Sequence, residues 1–181
     1  MTKAKGMITI NVKKCVACKT CELECALAHS PEKDLAKAMR LEVKPQPRIS
    51  VDPIGSYSVP LQCRHCEDAP CVAVCPTKAM TKLGVEGPVL VDLDSCIGCK
   101  ACIIVCPFGV IKLSRSGKVI SKCDLCIDRL EQGQKPACVS GCPTGCLQFQ
   151  TVDEVAAEAK KKVGREFLVS IEKVETLHAV K

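Results

Sequence analysis

The chain has 181 residues, 17 cysteines, three Phe, one Tyr and no Trp, and a formal charge of +6 with thiols counted as neutral. That length holds one domain or two small ones, and the cysteine content marks either a disulfide scaffold or a metal protein, with so few aromatics that something other than side chains is expected to fill the interior. The N-terminal stretch Met1 to Asn11 lacks the apolar core and cleavage site of a secretory leader, and the longest apolar run, 101–111, falls short of the roughly 18 residues that cross a bilayer. A reducing cytoplasm is therefore the expected location, and there structural disulfides are rare.

In chain order, Ile8, Ile10 and Val12 alternate with polar residues, which predicts a short strand. It leads into a first cysteine group, Cys15-x2-Cys18-x2-Cys21-x3-Cys25. Residues 26–62 then read as a short helix over Pro31–Met39, with Leu35 and Met39 on one face, and a strand over Arg40–Lys44. An irregular loop marked by Pro45, Pro47, Pro53 and Gly55 follows. This stretch is either a connecting lobe or a surface on which a partner docks.

The second group is Cys63-x2-Cys66-x4-Cys71-x3-Cys75, followed by Pro76. Val89, Val91 and Leu93 repeat the alternation seen before Cys15 and predict another entry strand. The third group is Cys96-x2-Cys99-x2-Cys102-x3-Cys106 with Pro107, and the fourth is Cys123-x2-Cys126-x11-Cys138-x3-Cys142 with Pro143. The segments after Cys75, Cys106 and Cys142 align, and each reads as a helical turn leading back into a strand, with the proline at a first helical position. The tail opens on Thr151-x2-Glu154, a capping box. Asp153 and Glu154 early and Lys160, Lys161 and Lys162 late suit a helix dipole, with Gly164 as its stop. Residues 166–171 are left to pack on the body or on a partner.

Groups one and three have the spacing of bacterial [4Fe–4S] ligand runs. A tight loop with two residues between ligands offers three thiolates to one cubane cluster, and the fourth cysteine, on a starting helix, reaches the other cluster of a pair. Small residues at Ala17, Gly98 and Ala101 are expected to let backbone amides approach the sulfurs. Structural zinc is the rival, strongest for group four with its x11 gap, but zinc sites use two separated pairs and not three ligands together. Cys146 aligns with Ala79 and Val110 after the other Cys-Pro turns, so it reads as a buried core residue and not a ligand. His65 is expected to be hydrogen-bonded near a cluster. Lys14, Lys19, Lys100 and Lys122 either offset cluster charge or steer an acidic partner, and His29 and His178 have no assigned role.

Taken together, Cys15 to Cys25, Cys63-Arg-His-Cys-Glu-Asp-Ala-Pro-Cys71, Cys96 to Pro107 and the Cys123 to Pro143 run resemble a four-cluster polyferredoxin family. It comprises electron-transfer B subunits of the dimethyl sulfoxide reductase and formate dehydrogenase type and ferredoxins associated with hydrogenase and CO dehydrogenase. The resemblance runs from about Ile8 to Phe149, and departs from the family's pattern where Ala26, not proline, follows Cys25. It implies an α+β fold of two nested bacterial-ferredoxin-like modules, residues 1–25 plus 112–150 and residues 60–111. Residues 26–59 form a connecting or docking insertion between them, and 151–181 a C-terminal helix and tail. It also implies four [4Fe–4S] clusters. Cluster one takes Cys15, Cys18, Cys21 and Cys142, and cluster two takes Cys63, Cys66, Cys71 and Cys106. Cluster three takes Cys96, Cys99, Cys102 and Cys75, and cluster four takes Cys123, Cys126, Cys138 and Cys25.

The implied function is a non-catalytic relay of single electrons between a catalytic oxidoreductase subunit (a molybdenum or tungsten enzyme, a CO dehydrogenase or a hydrogenase) and a second redox protein. A free-standing soluble polyferredoxin carrier and a zinc-stabilised structural module are the alternatives. Neither nucleic-acid binding nor direct membrane insertion is expected. Each oxidised cluster with four thiolates carries about −2, so four would turn the sequence charge of +6 into roughly −2. The basic residues read as counter-charge, and iron and sulfide as the missing core.

Overall fold

The computed structural model describes residues 5–178, with side chains of the last helix described to residue 171. The chain divides into two compact units, one through Phe149 and one over Gln150–Lys181. In the first unit, strands β1 (Met7–Ile10), β2 (Ser50–Ile54), β3 (Tyr57–Leu61), β4 (Met80–Lys82), β5 (Val89–Val91), β6 (Lys112–Leu113), β7 (Ile120–Ser121) and β8 (Leu147–Gln150) form two-stranded pairs. β1 pairs with β8, so the two ends of the unit meet, while β2–β3, β4–β5 and β6–β7 pair locally. Between them lie the short helices α1 (Thr20–Ala28), α2 (Leu35–Ala38), α3 (Pro70–Ala73), α4 (Ala101–Val105), α5 (Ile127–Glu131) and α6 (Ala137–Ser140).

Two separate apolar cores result. The first gathers Ile8, Cys21, Cys25, Ile49, Val51, Leu125, Leu130, Cys138, Val139 and Leu147, and α1 packs on α6 there. The second gathers Ala69, Cys71, Met80, Val89, Cys102, Ile111 and Ile120, and there α3 packs on α4. Burying a Val, Leu or Ile contributes about 1.5–3 kcal/mol, and neither core holds an aromatic residue among its buried members. Cysteines occupy the space that such side chains usually fill.

The entry strands appear where alternation puts them, at Met7–Ile10 and Val89–Val91. Val12 instead belongs to a 3₁₀ turn, and Leu93 lies outside β5. Residues 26–62 differ more. The helix shrinks to α2, capped by the Asp34 side chain, which accepts from the Lys37 N–H at 3.0 Å. Arg40–Lys44 forms no strand. Pro45 and Pro47 lie in irregular loop as expected, but Pro53 and Gly55 belong to the β2–β3 hairpin, with Val51 opposite Pro60 and Ile54 opposite Tyr57. Gly55, at φ +59, opens its two-residue loop, where a type II′ turn takes glycine.

Pro53 and Pro60 are tolerated because the ladder's alternation places them at pairs that exchange no bonds, so their missing N–H faces outward. The N–H of Val51, also facing outward, donates to the Glu22 carboxylate at 2.6 Å and ties the hairpin to α1. Ile49 and Val51 thus make this segment part of the first core.

The prolines after the cysteines sit past helix ends and not at helix starts. α3, α4 and α6 each precede their cysteine, and Pro76, Pro107 and Pro143 follow in turns. Proline terminates those helices because it cannot donate back to the preceding turn. Ala26 removes that stop, which is why α1 runs on for nine residues while α4 has five.

In the second unit, α7 (Val152–His178) starts at the expected capping box. The Thr151 N–H donates to Glu154 Oε2 at 2.8 Å, and the Glu154 N–H to Thr151 Oγ1 at 3.2 Å. Gly164 does not stop this helix, which continues through it. An interior glycine costs only about 1 kcal/mol, and good helix formers flank it. Residues 166–171 are consequently helical. The side chain of His178 lies outside the described residues.

Candidate metal centres

Each cysteine loop turns through a left-handed residue two positions after its first cysteine: Ala17 (φ 58), His65 (φ 50), Gly98 (φ 67) and Leu125 (φ 62). Such a backbone costs a non-glycine residue about 1–2 kcal/mol. The return is visible in the loops that start at Cys63 and Cys123, where the turned amide faces sulfur. The His65 N–H donates to Cys63 Sγ and the Leu125 N–H to Cys123 Sγ, both at 3.4 Å. A third such bond runs from the Arg48 N–H to Cys25 Sγ at 3.3 Å. The sequence located these approaches at Ala17, Gly98 and Ala101. Ala17 and Gly98 share the left-handed turn, but the described amide–sulfur bonds come from His65, Leu125 and Arg48.

The fold brings three cysteines of one loop to a fourth from a distant one. Cys15, Cys18 and Cys21 line a small cavity with Cys142, walled by Val51, Pro60 and Leu147. Cys96, Cys99 and Cys102 line another with Cys75, walled by Met80, Val91 and Ile120. Burial pushes the Cys138 thiol up, and so does the proximity of Cys123, Cys25 and Cys126. Cys71 is likewise raised, by burial and then by Cys63 and Cys106, while Cys66 packs on the same core. Cys18 and Cys99 are exposed, whereas all of Cys25, Cys123, Cys126 and Cys138 are buried.

Burial also holds Cys21 up at about 11. Crowded, desolvated thiols of this kind become thiolates when a cationic core binds them, and an all-sulfur donor set suits iron–sulfur chemistry. Two further observations fit such a group. The Nε2 of His65 and both polar atoms of the Gln62 amide are buried beside the Cys63 loop without a hydrogen-bond partner, an arrangement that proteins rarely tolerate. His65 Nδ1 accepts from the Val89 N–H at 3.0 Å, so the neutral ring carries its proton on the unpartnered Nε2. Burial, then the charge of Lys122, lowers its pKa to about 3. The expected hydrogen-bonded histidine is present.

Cys146 is 3% exposed and lines the same cavity as Cys15, Cys18, Cys21 and Cys142. It packs beside the Cys15, Cys142 and Cys21 thiols, and burial pushes it up to about 12.

Three residues carry more than the sequence assigned them. His29 Nε2 donates to Asp124 at 2.9 Å while its Nδ1 faces the Cys25 carbonyl at 2.7 Å. Burial opposes the charged ring, but hydrogen bonds to Asp124 and Cys25 outweigh it and hold it protonated. Asp124, despite its burial, is held well below the usual carboxylate range by His29 and Arg48, which also pair with it directly. Lys122 is the third. At 2% exposure it cannot steer a partner, unlike Lys14, Lys19 and Lys100, which are exposed. Asp124 inside the Cys123–Cys126 pair was the one available signal, since 95 residues separate it from His29.

Residues 54–152 match the model of a 4Fe-4S dicluster domain. An iron-sulfur protein of Rhodospirillum rubrum is 37% identical over 181 residues, spanning 93% of this chain and 94% of the relative. The thiosulfate reductase electron transfer subunit PhsB of Salmonella typhi is 38% identical, over 84% of this chain and 78% of the relative. The B subunit of the anaerobic dimethyl sulfoxide reductase of Escherichia coli (strain K12) is 36% identical, over 86% and 77%. Among the described residues no helix is long and apolar enough to cross a membrane.

Proposed function

The chain belongs to the 4Fe-4S dicluster family, and from that premise we propose that it is a non-catalytic electron-transfer subunit holding four [4Fe–4S] clusters. The ligand sets are Cys15, Cys18, Cys21 and Cys142; Cys63, Cys66, Cys71 and Cys106; Cys96, Cys99, Cys102 and Cys75; and Cys123, Cys126, Cys138 and Cys25. Cys146 is a core neighbour of the first set and not a ligand. The observation that carries this reading is the recurrence, around two cores, of three thiols from one loop meeting one from another. The exchange between groups one and four, with β1 on β8 and α1 on α6, supports one module of residues 1–25 plus 112–150, of which Ile120 reaches over to pack in the second core. The exchange between groups two and three, with α3 on α4, supports a second module of 60–111 nested within it. Residues 26–59 then form the insertion, and 151–181 the tail.

Bound clusters supply reversible one-electron chemistry. The chain's residues space them, exclude water and set their potentials. The two sets with an exposed member, Cys18 and Cys99, face solvent as points of entry and exit, and the more buried sets lie between. The partners on this reading are a catalytic oxidoreductase subunit (a molybdenum or tungsten enzyme, a CO dehydrogenase or a hydrogenase) and a second redox protein, in the cytoplasm. Anaerobic purification followed by metal and acid-labile sulfide analysis tests it. About sixteen irons and sixteen sulfides per chain are expected; zinc without sulfide contradicts it.

A further inference from the structure

Lys122 is fully buried, and lysine almost never is unless paired. Among the described residues no carboxylate pairs with it. Its Nζ donates to two carbonyls, that of Cys123 at 2.7 Å and that of Val89. Carbonyl dipoles alone leave a buried ammonium short of compensation, and the penalty for an uncompensated buried ion is several kcal/mol. The missing negative charge has a visible source on each side. Beyond Cys123 lies the set Cys123, Cys126, Cys138 and Cys25. On the Val89 side, the Val89 N–H donates to His65 Nδ1, and the His65 N–H donates to Cys63 Sγ, a member of the set Cys63, Cys66, Cys71 and Cys106. One hydrogen-bonded path therefore runs from the Cys123 backbone through Lys122, Val89 and His65 to the Cys63 sulfur.

We infer that Lys122 is the charge that sets the potentials of the two inner clusters and binds the two modules together at the step between them. This rests on the ligand sets proposed above. An electron arriving at either inner cluster reduces its core by one unit while the donor is oxidised by one; Lys122 takes no electron and gives no proton. Its positive charge favours the more negative reduced core, by Coulomb attraction acting through a water-poor interior. Holding both inner potentials up together keeps the central hop near level while the exposed clusters remain free to differ.

The test is an electron-paramagnetic-resonance redox titration of the full chain, anaerobically purified, with iron counted on every sample. Lys122→Met is expected to keep its iron and to lower two of the four midpoint potentials. The reduction equilibrium of each should fall at least tenfold, about 59 mV for a one-electron couple. Lys122→Arg, which keeps the charge, is expected to stay near the wild type. Unchanged potentials in fully loaded Lys122→Met overturn the inference. If that variant loses iron, Lys122→Gln, which retains a donor for the carbonyls, takes its place; loss of iron from both assigns Lys122 a packing role alone and overturns it too. A wild-type chain with far fewer than sixteen irons would instead overturn the underlying ligand sets, an outcome the iron count separates from the others.

Discussion

The loops Cys15–Cys25 and Cys96–Cys106 carry identical cysteine spacing and both enter their helix through a left-handed lysine, Lys19 and Lys100. Their surroundings nevertheless differ. In the first, Ala17 occupies the strained turn in the open, and Ala26 lets α1 run on until His29 reaches Asp124 beside Cys123 and Cys126. In the second, Gly98 occupies the turn against a wall: a Cβ there would meet the Lys118 carbonyl oxygen at 2.0 Å. Pro107 follows the end of α4 at Val105. The two loops share one spacing, and the residues between and after their cysteines decide what else each loop holds together.

Removing the iron should erase the comparison altogether. With cysteines filling both cores, bound metal supplies folding free energy, so chelation is expected to unfold both loops; circular dichroism of an apo chain that kept its native spectrum would count against this. Next in size is Gly98→Val. It is expected to abolish the signal of the cluster ligated by Cys96, Cys99, Cys102 and Cys75, since both φ +67 and the Lys118 carbonyl oppose a side chain. Iron falling from sixteen to about twelve per chain is the readout, and full loading would refute the wall.

Ala26→Pro imposes on the first loop the stop that the second already has. A proline inside a helix costs about 3 kcal/mol, and the variant should lose its clusters faster on warming as His29 leaves Asp124. Unaltered cluster lifetime would mean that the longer α1 contributes nothing. The smallest effect is expected for Ala17→Gly. Relief of the left-handed strain is partly offset by glycine's greater freedom when unfolded, leaving a gain of at most about 1 kcal/mol, measurable as a slightly slower loss of absorbance.

Much of this was legible in the residues themselves. The cysteine groups and the Thr151–Glu154 box are local patterns with fixed spacing, and the entry strands follow from alternation over a few positions. What escaped depended on distance or on context. The β2–β3 hairpin was hidden because Pro53 and Pro60 argue against a strand, and only the pairing register reveals that both sit where no bond is needed. Gly164 matched a helix stop but lacked the sharper break that proline provides after Cys75, Cys106 and Cys142. Lys122 looked like its exposed counterparts near other loops, since nothing in one dimension distinguishes a buried lysine from an exposed one. His29 and Asp124 meet across most of the chain, and no short window contains both.

The central claim is that four clusters in one small chain pass electrons singly. It is tested most directly by an anaerobic reductive titration of the purified chain, counting electrons taken up per chain against the spectroscopic signal of reduced clusters. The account predicts uptake of about four electrons, one per cluster, with the signal growing alongside. Uptake of two or fewer by a chain carrying its full iron would contradict it.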